Sequence, residues 1–206
     1  MNNPQPESLP LTVRLPGGQT VTIRPIRPTD ASLLVDMFHH LSERSRWLRF
    51  HAYTGNLPQE RIWRTAVALS DLDPRRETAL VAVHNDETGE HIVGVSRLVR
   101  ATAEAVEAET AVVVRDDFQR LGLGRRLLSL LLPVAQAMGI QRLFGWVMAE
   151  NRHMLNIINK ADLPVHVEHH SGEMFVVLSV PSLSAPASTE NRLPESDYAA
   201  QHDPPP

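Results

Sequence analysis

The segment ETAVVVRDDFQRLGLGRRLLSLLLPVAQA, residues 109–137, predicts a β-strand, a tight glycine turn and an α-helix in succession. Residues 111–114 form an apolar, β-branched run that is long enough for a buried strand and too short for a helix. From Arg125 onward, apolar residues recur at helical spacing as far as Ala135. We therefore expect a helix that begins at or just before Gly124, with first N–H groups that have no partner within the helix.

The two glycines at the start of this helix predict a binding site for a phosphate group. Gly122 and Gly124 let a bulky anion approach the backbone, and the helix dipole favours negative charge at that end. A P-loop needs Gly-Lys followed by Ser or Thr, and a dinucleotide fingerprint needs a third glycine where this chain has Leu127. What remains is Gln/Arg-x-x-Gly-x-Gly at a strand-to-helix turn. The alternative is a glycine-rich turn that binds nothing.

Length, charge and cysteine content narrow the class of protein. The chain has 206 residues, a net charge of −4 and no cysteine. This length suits one well-packed domain, and the charge gives no indication of nucleic-acid binding. The lack of cysteine excludes a thiol nucleophile, a disulfide framework and a thiolate metal site. The first ten residues lack the basic start and apolar core of a signal peptide, and no apolar run approaches the ~20 residues of a membrane span. We therefore expect a soluble, cytoplasmic protein with no membrane contact.

Hydrophobic periodicity predicts further elements on both sides of the central segment. Strands are predicted at residues 11–15, 21–23, 78–84, 91–99, 111–114, 142–149, 165–168 and 174–180. Helices are predicted at residues 31–41, 59–69 and 151–161, and from Gly124 to a stop at Gly139, with a kink at Pro133. This order fits a mixed sheet with helices on both faces.

The two ends of the chain differ in composition from the rest. Residues 1–9 are polar and contain prolines, so we expect a flexible N-terminus. Residues 10–180 carry the predicted elements and form the expected domain. Residues 181–206 are rich in Pro, Ser, Ala, Glu and Asp and cannot bury enough apolar surface to become ordered. We expect a disordered tail there.

The strand–turn–helix pattern resembles the acyl-CoA-binding motif of the GNAT acetyltransferases, and the element order over about residues 20–180 is similar to the GNAT fold. Four stretches are similar to the acetyltransferase domain of the bacterial Pat-type protein-lysine acetyltransferases. They are VTIRPIRPTD at 21–30, LSERSRWLRF at 41–50, AETAVVVRDDFQRLGLGRRLL at 108–128 and ENRHML at 150–155. In that family the domain is usually fused to a synthetase-like or cyclic-nucleotide-binding domain, for which this chain has no room.

The resemblance implies a mixed α/β GNAT fold, with a twisted mixed sheet and helices on both faces, and an acetyl-CoA-dependent N-acetyltransferase. Pat-type enzymes acetylate the active-site lysine of acyl-CoA synthetases. The resemblance therefore implies transfer to a protein lysine by direct attack in a ternary complex. One alternative is a small amine acceptor such as a polyamine or an aminoglycoside. Another is a non-catalytic module that binds acyl-CoA and regulates a partner.

The resemblance also places the general base at Glu109, which matches the Glu that Pat-type domains have just before the AVVV run. A lysine ammonium has a reference pKa of about 10.4, so it must lose a proton before it attacks, and a carboxylate can take that proton. The alternative is a solvated carboxylate, because Glu104 and Glu107 stand in the same polar loop. Glu107 is the second candidate for the base.

The remaining expected contacts are with acetyl-CoA. The resemblance implies that backbone N–H groups of Val112, Val113 and Val114 face the pantetheine and the thioester, although a plain core strand would contain the same residues. The pyrophosphate is expected on the N–H groups of Gln119, Arg120, Leu121, Gly122, Leu123, Gly124 and Arg125. Arg126 adds positive charge nearby. Asn151 matches the Asn that contacts the pantetheine arm, or it is an ordinary helix N-cap.

Other polar groups give weaker expectations. In residues 41–50 the basic and aromatic side chains either line a groove for a protein substrate or form a solvated basic helix with Trp47 and Phe50 buried. The basic residues are Arg44, Arg46 and Arg49. Residues 166–170 contain three histidines and a glutamate without a zinc-ligand spacing, so we expect no metal.

Many GNAT enzymes use a tyrosine in the helix after Asn151 to protonate the leaving thiolate. This chain has two tyrosines, Tyr53 and Tyr198, and neither is in that helix. The general acid therefore stays unassigned.

Overall fold

The strands of this protein form a single eight-stranded sheet. This computed structural model describes residues 9–181 of the chain. The strands of the sheet are β1 (Leu11–Arg14), β2 (Thr20–Pro25), β3 (Glu77–Asp86), β4 (Gly89–Val99), β5 (Glu107–Val114), β6 (Arg142–Met148), β7 (Val165–His170) and β8 (Glu173–Ser179). Their order across the sheet is β1-β2-β3-β4-β5-β6-β8-β7. Neighbouring strands are antiparallel except for β5 and β6, which are parallel. The predicted mixed sheet is confirmed.

Helices cover both faces of this sheet, as predicted. They are α1 (Ala31–His40), α2 (Glu43–Phe50), α3 (Gln59–Ser70), α4 (Leu123–Ala137) and α5 (Arg152–Asn159). On one face, Met37 of α1 packs against Val81 and Ile92 of the sheet. On the other face α4 and Ile158 of α5 contribute to the main core. In residues 9–181 no helix has the length and apolar character needed to cross a membrane.

The main core depends on the apolar face of α4. Leu127 and Leu131 are fully buried against the sheet, and full burial of such a side chain contributes about 1.5–3 kcal/mol. Gly94 on β4 allows the helix to come this close, because a Cβ at that position would lie 2.9 Å from Leu127 Cδ1. α4 continues through Pro133 as one helix. This packing fixes the start of α4 against the end of β5, where the phosphate site is predicted.

The central strand is longer than its apolar run indicates. β5 begins at Glu107, so Glu109 is its third residue and does not stand at its head. Side chains alternate along the strand: Ala108 is buried in the main core, whereas Glu107 and Glu109 point to the opposite face. Polar side chains on that second face interrupt the apolar run in residues 107–110. The apolar pattern therefore predicted only the second half of the strand.

The stretch LSERSRWLRF folds as a capped helix over the face that carries Glu109. Ser42 is the N-cap of α2, and its Oγ accepts a hydrogen bond from the Ser45 N–H at 3.1 Å. α2 ends at His51, which has a left-handed backbone with φ of 52°. Trp47 is 40% exposed, so the interpretation of this stretch as a helix with Trp47 buried is wrong.

The expected flexible N-terminus lies outside the described residues except for Leu9, and the expected tail, with Tyr198, lies outside them except for Pro181.

A buried ion pair joins β2 to the start of α1. Arg24 donates to Asp30 through two N–H groups at 2.7 and 2.9 Å, and Asp30 also accepts from the Arg27 N–H at 2.8 Å. The two charged side chains are 8% and 4% exposed. Burial would raise the pKa of Asp30, but these hydrogen bonds outweigh it and hold the pKa below its ordinary value.

Removal of one member of this pair is expected to destabilise the fold. Arg24→Met leaves the Asp30 carboxylate buried without its cation, which typically costs about 3–5 kcal/mol and corresponds here to a Tm lower by roughly 10 °C. The matched control is Arg64→Met, which breaks the exposed pair between Arg64 and Glu60 on α3 and should move Tm by less than about 2 °C. Thermal unfolding followed by circular dichroism measures both, and equal shifts would contradict the prediction.

Candidate active site

β5 and β6 pair over only three residues and then separate. Glu107–Glu109 of β5 pair with residues 142–144 of β6, and from Thr110 onward no pairing between these two strands continues in the described sheet. At the point of separation Gly145 passes so close to β5 that a Cβ would lie 2.8 Å from the Thr110 carbonyl oxygen. The separation leaves an opening between the two halves of the sheet.

The register shows which backbone groups of β5 face this opening. In an antiparallel ladder, successive N–H groups point alternately to the two sides of a strand. The Arg115 N–H donates to the Val93 carbonyl on β4 at 2.9 Å, so every second residue before it also points to β4. The N–H groups of Val112 and Val114 therefore point towards the opening. Val113 was also predicted to present its N–H there, but the register directs that group to β4.

The turn between β5 and α4 presents a run of free backbone N–H groups. Within residues 9–181, the N–H groups of residues 120–125 donate to no protein acceptor, and the first helical bond runs from the Arg126 N–H to the Gly122 carbonyl at 3.1 Å. Arg120 and Gly122 both have left-handed backbones, with φ of 63° and 81°. Alternation of left- and right-handed residues turns successive N–H groups towards one point, which makes a concave anion site. This arrangement fits a phosphate or pyrophosphate.

These N–H groups open into a cleft between α4, α2 and α5, which we call the helix-start cleft. A Cβ at Gly124 would lie 3.2 Å from Ile157 Cδ1, so a side chain there would narrow the cleft. Of the residues predicted to contact acetyl-CoA, those that line it are Val112, Val113, Val114, Gln119, Arg120, Gly122, Leu123, Gly124, Arg125 and Asn151. Leu121 does not line it and packs against the main core instead.

A second cleft occupies the opening between β5 and β6, and we call it the interstrand cleft. Its walls are mainly apolar, with Leu48, Leu128, Leu143, Phe144, Val147, Met154 and Ile158 among its lining residues. Its ionisable groups are Glu109, Arg49 and His51. Residues Leu48, Arg49, Val112, Asn151 and Met154 line both clefts. The two clefts therefore meet at the free edge of β5.

The two carboxylates of β5 have different surroundings. Glu109 lines the interstrand cleft. Glu107, two residues earlier on the same face, accepts a hydrogen bond from Arg142 Nε at 2.6 Å and lines neither cleft. The structure therefore places the first candidate base at the cleft and the second candidate in an ion pair.

Arg49 lies at the junction of the two clefts, and Glu109 is its neighbour in the interstrand cleft. Among the described residues its guanidinium has no hydrogen-bonded or ion-paired partner, and its Cζ lies 5.3 Å from the centre of the Phe50 ring. Burial lowers the pKa of Arg49 from its ordinary value, and the negative charge of Glu109 opposes this. Because an arginine stays protonated at neutral pH, the interstrand cleft carries one guanidinium and one carboxylate.

The two ends of α2 are hydrogen-bonded to opposite sides of the opening, one to the turn after β5 and the other to β8. At its start, Asp116 accepts from the Ser42 N–H at 2.9 Å, from Ser42 Oγ at 2.7 Å and from Ser45 Oγ at 2.8 Å. Burial would raise the pKa of Asp116, but these bonds outweigh it and hold the pKa below its ordinary value. At its end, His51 Nδ1 lies 2.8 Å from Glu173 Oε1 on β8. α2 therefore spans the opening and connects the two halves of the sheet.

Asn151 is the N-cap of α5 and also lies at the meeting point of the two clefts. Its Oδ1 accepts from the Met154 N–H at 3.1 Å, which caps α5, and the residue lines both clefts. Tyr53 is 72% exposed on the loop after α2 and lines neither cleft. In the described part of the chain no three His, Asp or Glu side chains are placed to hold a metal ion.

Sequence reasoning missed part of the interstrand cleft. His51 and Trp146 line it, and neither had an expected role. His51 follows the basic stretch directly, but no spacing or motif marks it, because its partner Glu173 is 122 residues away. Trp146 lies in a predicted strand, where an aromatic residue is ordinary.

Comparison with known proteins assigns the family. Residues 37–161 match the model of the acetyltransferase (GNAT) family, which covers more than half of the chain. The chain belongs to the GNAT acetyltransferase family. It is 32% identical over 143 residues to an acetyltransferase of Pseudomonas aeruginosa, a match that covers 69% of this chain and 74% of that protein. It is 31% identical over 90 residues to the acetyltransferase Pat of Mycolicibacterium smegmatis, which covers 44% of this chain but only 27% of that protein.

Solved structures agree with this GNAT assignment. The GNAT domain of S. lividans PAT superposes with a TM-score of 0.69 at 27% identity and covers 82% of this chain and 96% of its own. The structure of yncA from Salmonella typhimurium, solved with its cofactor acetyl-CoA, has a TM-score of 0.56 at 17% identity, and the match covers 82% of this chain and 98% of that one. The second likeness shows the fold alone. The predicted GNAT fold and N-acetyltransferase class are confirmed, with acetyl-CoA as the acyl donor that this fold uses.

Two neighbouring arginines test the phosphate site of this GNAT domain. Both Arg125 and Arg126 are exposed at the start of α4, but only Arg125 lines the helix-start cleft. Arg125→Ala removes a charge near the expected phosphates and should raise KM for acetyl-CoA about three- to tenfold, whereas Arg126→Ala should change it less than about twofold. Added salt should reduce the difference, because it screens exposed charges. Steady-state kinetics with varied acetyl-CoA measures both, and equal effects would place the phosphates elsewhere.

Proposed function

We propose that this GNAT protein transfers an acetyl group from acetyl-CoA to the ε-amine of a protein lysine by direct attack in a ternary complex. The observation that carries the proposal is the meeting of two clefts at the free edge of β5, around Val112 and Asn151. Separate clefts leave room for donor and acceptor at the same time. The chain also contains no cysteine that would carry the acetyl group as an enzyme thioester.

The helix-start cleft suits the donor. The free N–H groups of residues 120–125, with the charge of Arg125, would hold the phosphates of acetyl-CoA. Acetyl-CoA supplies an activated thioester, and its carbonyl oxygen gains negative charge during attack. The N–H groups of Val112 and Val114 are free to donate to that oxygen. Backbone donors are fixed before the reaction and need no reorganisation when the charge develops.

The interstrand cleft suits the side chain of a lysine. Its apolar walls, such as Leu48, Phe144 and Val147, match the four methylene groups of the lysine stem, and each buried CH₂ contributes about 0.8 kcal/mol. Glu109 lies in the same cleft and can take a proton from the amine. No tyrosine of the described chain lines either cleft, so we assign protonation of the leaving thiolate to water or substrate.

The charges of the cleft favour a lysine over a polyamine. A polyamine carries several positive charges and needs an acidic surface, but Glu107 is paired with Arg142 and Arg49 adds a positive charge beside Glu109. The similarity to Pat supports a protein acceptor. We therefore propose an acyl-CoA synthetase of the cytoplasm as the acceptor class, because Pat-type enzymes modify such proteins.

The assignment of the base is tested by a pair of glutamates on one strand. Glu109→Gln removes the proton acceptor and should lower kcat about 10²–10⁴-fold on a synthetase acceptor, with acetyl-CoA affinity unchanged. Glu107→Gln, two residues away on the same face, should leave kcat within about threefold, because that carboxylate is held by Arg142. CoA release measures turnover, and calorimetric titration measures acetyl-CoA binding.

Other results of this assay point to other functions. A larger loss for Glu107→Gln than for Glu109→Gln would move the base to Glu107. Turnover of small amines without turnover of any synthetase would replace the proposed acceptor. Acetyl-CoA binding without turnover of any acceptor, indifferent to Glu109→Gln, would indicate a regulatory module.

A further inference from the structure

The wall of the interstrand cleft contains a histidine–carboxylate pair that the transfer described above does not use. His51 Nδ1 lies 2.8 Å from Glu173 Oε1, and the two side chains are 9% and 19% exposed. A carboxylate on one ring nitrogen orients the imidazole and leaves Nε2 to exchange a proton. His51 lines the interstrand cleft together with Glu109, and it does not line the helix-start cleft. The pair is therefore on the acceptor side only.

The backbone of His51 is held in a conformation that a histidine adopts at a cost. Its φ of 52° is left-handed, a conformation that is unfavourable for a non-glycine residue. The contact with Glu173 and the hydrogen bond from the His51 N–H to the Trp47 carbonyl at 2.9 Å maintain it. Hydrogen bonds to the backbone and to the ring of His51 therefore both hold its imidazole in the wall of the interstrand cleft.

The proposed reaction has more protons to move than one carboxylate accounts for. A lysine enters as an ammonium, R–NH₃⁺. The N–C bond forms and the C–S bond breaks, which gives the amide R–NH–CO–CH₃, CoA–SH and one free H⁺. The nitrogen therefore loses two protons, one before attack and one after it. One of them ends on the sulfur and the other in solvent, so two separate proton acceptors are useful in the acceptor cleft.

We propose that His51, oriented by Glu173, is the second proton acceptor of the interstrand cleft. His51 takes the ammonium proton as the lysine enters, and Glu109 takes the proton that the nitrogen loses on attack. The charged and titratable neighbours of the pair are Arg49 on the same helix, Glu109 on β5 and His170 opposite Glu173 on β7. This inference rests on the proposed acetylation of a lysine amine.

The first test replaces the imidazole without a change of backbone. Asparagine tolerates a left-handed backbone and retains an N–H donor for Glu173, so His51→Asn should fold normally. We expect kcat/KM for a lysine peptide to fall at least about tenfold, KM for acetyl-CoA to stay within about twofold, and added imidazole to restore part of the rate. The matched control is His91→Asn, because His91 Nδ1 also lies close to a carboxylate, 3.0 Å from Asp36 Oδ2, but lines neither cleft.

Because the pair also holds the end of α2 on β8, a purely structural role must be separated from proton transfer. A peptide with an aminooxy group in place of the lysine amine is neutral at the assay pH and has no ammonium proton to lose. His51→Asn should then match wild type, whereas Glu109→Gln should remain slow on both peptides. The same loss on both peptides, or a loss that imidazole does not restore, would overturn the proton-acceptor role of His51.

The same assay separates this inference from the proposed function. If wild type modifies small amines but no lysine peptide, the proposed acceptor is wrong. His51 is then tested by the same comparison between a charged and a neutral small amine. If Glu109→Gln is fully active, the base assignment fails, and loss of the ammonium substrate alone in His51→Asn would still support His51. Equal activity of His51→Asn, His91→Asn and wild type on every ammonium substrate would overturn the inference.

Discussion

The separation of β5 from β6 after residue 109 is the constraint on which the site depends. A strand edge inside a protein leaves backbone N–H and carbonyl groups without partners, and such groups must be bonded or reached by water or ligand. Here the free edge faces two clefts instead of a neighbouring strand. The close passage of Gly145 at Thr110 marks the last point of contact between the two strands. A binding site for a group that accepts backbone hydrogen bonds follows from this geometry.

The helices around the opening are anchored to the segments on both sides of it. α4 begins directly after β5 and is held by its buried leucine face, and α5 begins at Asn151 on the far side. α2 lies across the opening, with Asp116 bonded at one end and Glu173 at the other. Because Leu48 and Arg49 lie in the last turn of α2, between these two contacts, the contacts determine where both side chains stand over the clefts. We therefore expect a substitution at either end of α2 to move Leu48 and Arg49 without any contact of its own with substrate.

Local sequence patterns were sufficient to predict the turn and α4, but they did not predict the arrangement of residues in the interstrand cleft. Gly122 has φ of 81°, a conformation that favours glycine, so the glycine spacing predicted the turn correctly. The start of β5 was placed four residues too late, because the strand is polar on one face before residue 111. The distinction between Glu107 and Glu109 depends on Arg142, which approaches only when β6 pairs with β5. The contact of His51 with Glu173 likewise joins segments that no sequence pattern relates.

The charge at the junction of the clefts bears on how an acceptor amine is bound. Two unit charges about 5 Å apart interact by roughly 3 kcal/mol at an effective dielectric constant of 20, so a single glutamate would attract an ammonium strongly. Arg49 opposes that attraction, because it lines the same cleft as Glu109. The two opposite charges offset each other, so electrostatic attraction contributes little to the binding of a protonated amine. Loss of the ammonium proton then removes the repulsion between the amine and Arg49. Binding must then come from the apolar walls around the stem and from the surface beyond the cleft. A long aliphatic side chain carried on a protein offers both, whereas a small polycation has no protein surface to contact the region beyond the cleft.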